Sequence, residues 1–423
     1  FLLLALFAAA VFDLIFALAR GGGLRGALHG LWNTPHLLFG QQLAEWRLQL
    51  GRILFAAGLA AYEISVVFCN SMARQNWAWV QGVMSPVLEW LAFLCFGAKI
   101  LFGTRYTWRE LLAGGALYFI ARWVYFNSQN IWWIGIVVAV LAAKDIPLCR
   151  PLQVYFASGC AAMAVVLALH FAGIVAPDLT SERMGALRGT YGYGHPNTFG
   201  GLVFGLVLAY ALLRAQKVRW VDCLLVFAVG VFLLVGPASR SAALCTLALA
   251  VGLVFCRLRA GHSVPRWWPG TCAGMVGLTA AVSYLLPLLV IKVGPWNNDI
   301  GPAWLAKLDS LLTCRISLTW MAYRLLDVKI AGQVFNWPTV DNSFAFALFQ
   351  FGPVVAVLLG ILFAAALWGH AKQGRRVEVC CLFAMLAYAY MEVQPFHLTT
   401  NPTALLLCGA VFAQASARWQ KIE

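Results

Sequence analysis

The 423 residues are 62% hydrophobic and only 11% charged, with a mean hydropathy of +0.79. A soluble domain carries roughly 25% charge and would leave this much apolar surface facing water. The formal charge of +14 is spread in short clusters between apolar runs, which argues against nucleic-acid binding and matches loops between membrane helices. Most of the 12 cysteines sit inside apolar runs, and none forms a C-x-x-C pair. Neither a metal site nor a disulfide framework is therefore expected.

In chain order, runs of spanning length cover 1–18, 51–69, 84–103, 108–126 and a shorter 130–143. They continue at 154–175, 198–214, 220–236, 241–257, 271–293, 342–367, 378–392 and 402–418. The alternating pattern of a membrane barrel is absent, so the chain reads as one all-α polytopic domain over 1–423 with about 12–14 transmembrane helices. Phe1 stands inside a hydrophobic run with no cleavage-site signature, and a short tail before it is expected to be missing. Residues 20–50, rich in Gly, Trp and Arg, suit the membrane interface.

Threading these spans puts most of the Lys and Arg on the side of loops 19–50, 104–107, 144–153, 215–219, 258–270 and 368–377. By the positive-inside rule that side is cytoplasmic. The opposite side holds the longer segments 70–83, 176–197 and 294–341, the turn 237–240, and 393–401. Its few arginines have no topological purpose and point to an anionic ligand.

Four strings on that face carry candidate chemistry. RGTYGYGHPNTFGG (188–201) joins Arg188 to a glycine turn and a helix entry at Pro196 and Asn197. Free N–H groups and the positive dipole end there suit a phosphate; the plainer reading is a helix entry with Asn197 as its cap and His195 as an ordinary loop residue. In GPASRSA (236–242), Arg240 either contacts a ligand or caps the preceding helix. CRISLTWMAYRLL (314–326) has helical spacing, with Arg315 and Trp320 directed at a head group or merely anchored at the interface. In WPTVDNSFAFALFQFG (337–352), Asp341 is either a general base or, with Asn342, a helix cap. Arg183 adds a further cation. Arg122 and Glu63 lie toward the same end of their spans, where they could pair, and Glu392 and His397 flank the last turn; each of these is either a structural pair or cap or a site residue. No P-loop, DxD-type pair or G-x-S-x-G elbow is present.

In this order the four strings resemble the bacterial polysaccharide polymerases of the Wzy kind and the related O-antigen ligases, over roughly 180–360. The resemblance implies a GT-C-like fold and a large extracytoplasmic loop, 294–341, containing short helices. It also implies an inverting transfer between undecaprenyl-diphosphate-linked oligosaccharides in the bacterial inner membrane, with no metal or cofactor. Arg188, Arg315, Arg240 and Arg183 would then hold the diphosphate. Asp341 or His195 would take the proton, with Asn197, Asn342, Tyr191, Tyr193 and Arg122 in support. Membrane lipids, a flippase and chain-length regulators are the expected partners. Ligases usually carry His-Asn where this chain has Asp341-Asn342, so polymerase is favoured over ligase. A transporter is the non-enzymatic alternative, and neither the internal repeat nor the broken helices it would need are read in the sequence.

Overall fold

The computed structural model describes residues 2–19, 23–39, 44–175, 181–183, 186–290 and 301–412. Arg20, Arg418, Lys421, the side chain of Arg183, loop residues 294–300 and the end of the final expected span lie outside them. The helices are α1 (Leu2–Ala19), α2 (Gly23–Asn33), α3 (Ala44–Cys69), α4 (Ala73–Asn76), α5 (Ser85–Phe102) and α6 (Trp108–Ser128). Then come α7 (Ile131–Ala142), α8 (Cys149–Phe171), α9 (Pro196–Leu213), α10 (Trp220–Val235), α11 (Arg240–Leu258) and α12 (Trp268–Leu285). The series ends with α13 (Ala303–Leu311), α14 (Arg315–Leu325), α15 (Ser343–Phe346), α16 (Pro353–Lys372), α17 (Arg376–Met391) and α18 (Cys408–Val411). Two small antiparallel pairs, His36–Leu37 with Arg105–Tyr106 and Ser181–Arg183 with Ala186–Arg188, complete the described chain.

Among the described residues, seven helices are long and apolar enough to cross a bilayer: Glu45–Cys69, Val80–Phe102, Cys149–Phe171, Pro196–Leu213, Arg240–Leu258, Trp268–Leu289 and Pro353–Lys372. Shorter apolar helices accompany them at Leu3–Ala19, Ile131–Ala142, Trp220–Val235 and Pro402–Val411. Their outward faces are strongly apolar. On α10, Val221, Leu224 and Val235 are 70%, 67% and 77% exposed, a surface that suits lipid and not water. The fold is that of a polytopic membrane protein.

Helix α9 is the most enclosed of the seven, with 72% of its apolar window buried. Its glycines explain why. A methyl group at Gly200 would stand 2.3 Å from the Ser239 hydroxyl, at Gly201 1.8 Å from Gln394 Oε1, and at Gly205 2.5 Å from the Thr399 carbonyl. Small residues let neighbouring backbone approach closely, which is how membrane helices gain packing energy. The start of α11 and the segment after α17 therefore lie directly on α9.

Two expectations fail in an informative way. The span expected at 342–367 is broken: α15 runs into a π-helical turn at Ala347–Phe351, and α16 starts afresh at Pro353. Gly352 adopts φ +87°, and the chain at Ile330 passes so close that a Cβ there would meet its carbonyl oxygen at 2.1 Å. The long loop thus folds back against the break, where the Gln333 N–H donates to the Gln350 carbonyl. The segment 393–401 is likewise no exposed turn. Thr399, Thr400 and Asn401 are buried, and 3₁₀ turns at Gln394–Phe396 and Pro402–Leu407 carry the chain back into the bundle along α9. Asn401 caps the second turn by accepting from the Ala404 N–H, so this irregular backbone is satisfied within protein.

Candidate functional site

Helices α9, α11 and α14 begin, and α17 ends, at one end of the bundle, so three positive dipole ends share that region with Arg188, Arg240 and Arg315. The entry of α14 is fixed by Asp309, a fully buried carboxylate that accepts from the N–H groups of Ile316 (2.7 Å) and Ser317 (3.2 Å) and from the Ser317 hydroxyl (2.8 Å). That cap delivers Arg315 to the centre of the site.

There Glu392 gathers the strings together. Its Oε1 accepts from Arg315 Nη2 at 2.5 Å, from the Ser241 hydroxyl at 2.7 Å and from the Asn197 side-chain amide at 3.1 Å. Its own carbonyl accepts from the Ser343 hydroxyl at 2.6 Å. One residue thus touches the helix entry at 196, the Ser-Arg turn, the loop helix α14 and the start of α15. Three donors on one oxygen are the contacts of an ionised carboxylate. Glu392 reads from sequence only as a charge flanking the last turn. The available signal was its isolation, since no other Asp or Glu falls between Glu378 and Glu423.

The other candidate residues divide. Arg315 is 8% exposed and committed, donating also to the Met391 carbonyl, to the Leu312 carbonyl at 2.8 Å and to the Ser241 hydroxyl at 3.3 Å. Arg188, 7% exposed, donates to Asn197 Oδ1 at 2.8 Å and to the Ala238 carbonyl at 3.3 Å, tying the glycine turn to the Ser-Arg turn. Arg240 begins α11 with an exposed side chain. His195 is the N-cap of α9, its Nδ1 accepting from the Asn197 N–H at 3.1 Å.

Asp341 and Asn342 take separate roles. Asn342 is the cap of α15, accepting from the N–H groups of Phe344 (2.9 Å) and Ala345 (3.1 Å) and donating to the Ser283 hydroxyl. Asp341 is thereby left out of the cap. Its carboxylate is 31% exposed and lies 3.9 Å from Arg315 Nε. Burial raises its pKa above the ordinary carboxylate range, while the charges of Arg315 and His195 pull it back. It is the accessible acid of the cluster.

Tyr191 and Tyr193 pack the glycine turn. The Tyr191 ring lies against Phe199 and Phe232, at φ +52°. Tyr193 is fully buried against Phe199, its backbone bridged to Ser71. Arg122 is placed elsewhere, 3.8 Å over the Phe126 ring of its own helix. It does not pair with Glu63, which is buried beside Gly159 of α8, with Oε2 unpartnered. Trp320 lies under the Arg324 guanidinium and packs with Val290, Leu305 and Ile316. Among the described residues no group of three His, Cys, Asp or Glu side chains converges as a metal site. No family model matches the chain, and neither the curated proteins nor the solved structures include a match.

Proposed function

We propose that this protein is a membrane glycosyltransferase that polymerises oligosaccharides carried on a polyprenyl diphosphate, at the outer face of a bacterial inner membrane and through about 12–14 crossings. The observation that carries the reading is the convergence on Glu392 of four separate strings, bringing arginines and one accessible carboxylate to the same end of the bundle. Asp341 removes the proton from an acceptor sugar hydroxyl, and that oxygen attacks the anomeric carbon of the donor from the face opposite the diphosphate. The C–O bond to the diphosphate breaks, and the leaving group takes the electron pair. Guanidinium groups and helix N-termini stabilise the charge that grows on it. Arg315 reaches the donor by exchanging part of its bonding from Glu392 to the diphosphate, whose charge is the greater.

Incubation of the purified protein with lipid-linked oligosaccharide tests the proposal. A ladder of polymer with release of polyprenyl diphosphate is expected; a single transfer to a different lipid or protein acceptor would make it a ligase. One structural feature favours a different reading, a flippase for the same lipid. The break at Gly352 and the re-entrant 393–407 segment are irregular backbone of the kind that lines transport sites. Movement of a labelled polyprenyl-linked sugar across proteoliposomes without formation of a glycosidic bond would establish that reading instead.

A further inference from the structure

Helices α9, α11 and α17, which place the candidate site at one end, run together to the opposite end of the bundle. Helices of 16–19 residues rise about 1.5 Å per residue, so that end lies roughly 25–30 Å away. There the turn Ala215–Val218, the end of α11 at Cys256 and Arg257, the turn at Ala260 and Gly261, and Gly374–Glu378 enclose a cavity of about 500 Å³.

Its charged lining is Lys217, Arg257, Arg375 and Arg376 against the single carboxylate of Glu378. Two neighbouring cations have structural work. Arg376 donates to the carbonyls of Arg259, His262 and Ser263 and so fastens the turn after α11. Arg214 is held by Asp222. The side chains of Lys217 and Arg257 are different: both are exposed, and neither makes a hydrogen bond or an ion pair among the described residues. Cations near the ends of α9 and α11 favour those dipoles, but dipoles alone do not require a cavity between three turns.

We infer that this cavity binds a phosphate group, carried by the headgroup of an anionic phospholipid or as free phosphate. Basic pockets between membrane helices are suited to such headgroups. Lys217 supplies a mobile point charge and Arg257 a planar fork that takes two phosphate oxygens.

The test uses the full chain in nanodiscs. Thermal unfolding is measured in phosphatidylcholine alone, with phosphatidylglycerol added, and with inorganic phosphate in place of the anionic lipid. Phosphatidylglycerol is expected to stabilise the wild type, with an apparent affinity at least tenfold weaker in the Lys217→Gln/Arg257→Gln double variant. If inorganic phosphate at millimolar concentration gives the same stabilisation, the ligand is the free anion. An Arg266→Gln/Lys372→Gln variant removes equal charge from the same end but outside the cavity, and should respond like wild type. Loss of the response to the same degree in that control would show a general surface-charge effect and overturn the inference. So would an unchanged response in the double variant, or no response of the wild type to either additive.

Discussion

Arg315 and Glu392 lie 77 positions apart in sequence and meet through a 2.5 Å hydrogen bond in which both side chains are less than a tenth exposed. Burying two charges is costly unless each is fully bonded. Here each makes further bonds, Arg315 to two backbone carbonyls and Glu392 Oε1 to Ser241 and Asn197. The pair therefore fixes the relative positions of the loop helix, the Ser-Arg turn and the entry of α9.

Removing one partner leaves the other charged and buried. Glu392→Ala is expected to destabilise the protein by about 3–5 kcal/mol, and Arg315→Ala by a similar amount. The double variant should lose less than the sum of the two. Unfolding of all three in detergent measures the coupling, and strict additivity would mean that the pair is not a unit.

Glu392→Gln keeps an acceptor for Ser241 and Asn197 but removes the charge that opposes Arg315. Pyrophosphate should then inhibit several-fold more tightly, while turnover falls because product leaves slowly. Competition assays on both proteins read this directly.

The rate should depend on pH through Asp341. The base must be ionised, and burial raises its pKa above that of an ordinary aspartate, so turnover should rise with pH through a limb displaced upward from that of an ordinary aspartate and then level off. Any positive charge on His195 lowers that pKa. His195→Asn retains a capping acceptor and removes the charge, so the acidic limb should move to higher pH. A limb that stays in place would show that His195 does not act on Asp341.

Packing on α9 gives a prediction about stability alone. Gly201→Ala forces a methyl group against Gln394 and the Tyr388 hydroxyl, an overpacking that costs about 1–3 kcal/mol. Gly194 meets nothing within 4 Å, and Gly194→Ala should be tolerated. Melting temperatures of the two variants make the comparison.

Membrane class, most helix positions and the helix starting at Arg315 were legible because hydropathy and 3.6-residue periodicity are local properties. The break at Gly352 was not, although Gly352-Pro353 is a recognised interruption: the apolar run on either side suits a single span, and it is the returning chain at Ile330 that leaves no room for a side chain there. The buried course of 393–407 depends on contacts with Gly201 and Gly205, far away in the sequence. Glu392 was visible as an isolated carboxylate, but its partners come from four distant strings. Asp341 and Asn342 were both reasonable caps, and only the geometry assigns that role to Asn342.

That division makes Asp341→Asn the most direct test. The substitution leaves the Asn342 cap in place and keeps the side chain's size while removing the basic oxygen. Turnover of lipid-linked oligosaccharide should fall by at least a hundredfold, in line with the 10²–10⁴ typical of a positioned base, with donor binding and melting temperature close to wild type. Full turnover in Asp341→Asn, from protein that binds the donor normally, would contradict the assignment of Asp341 as the base.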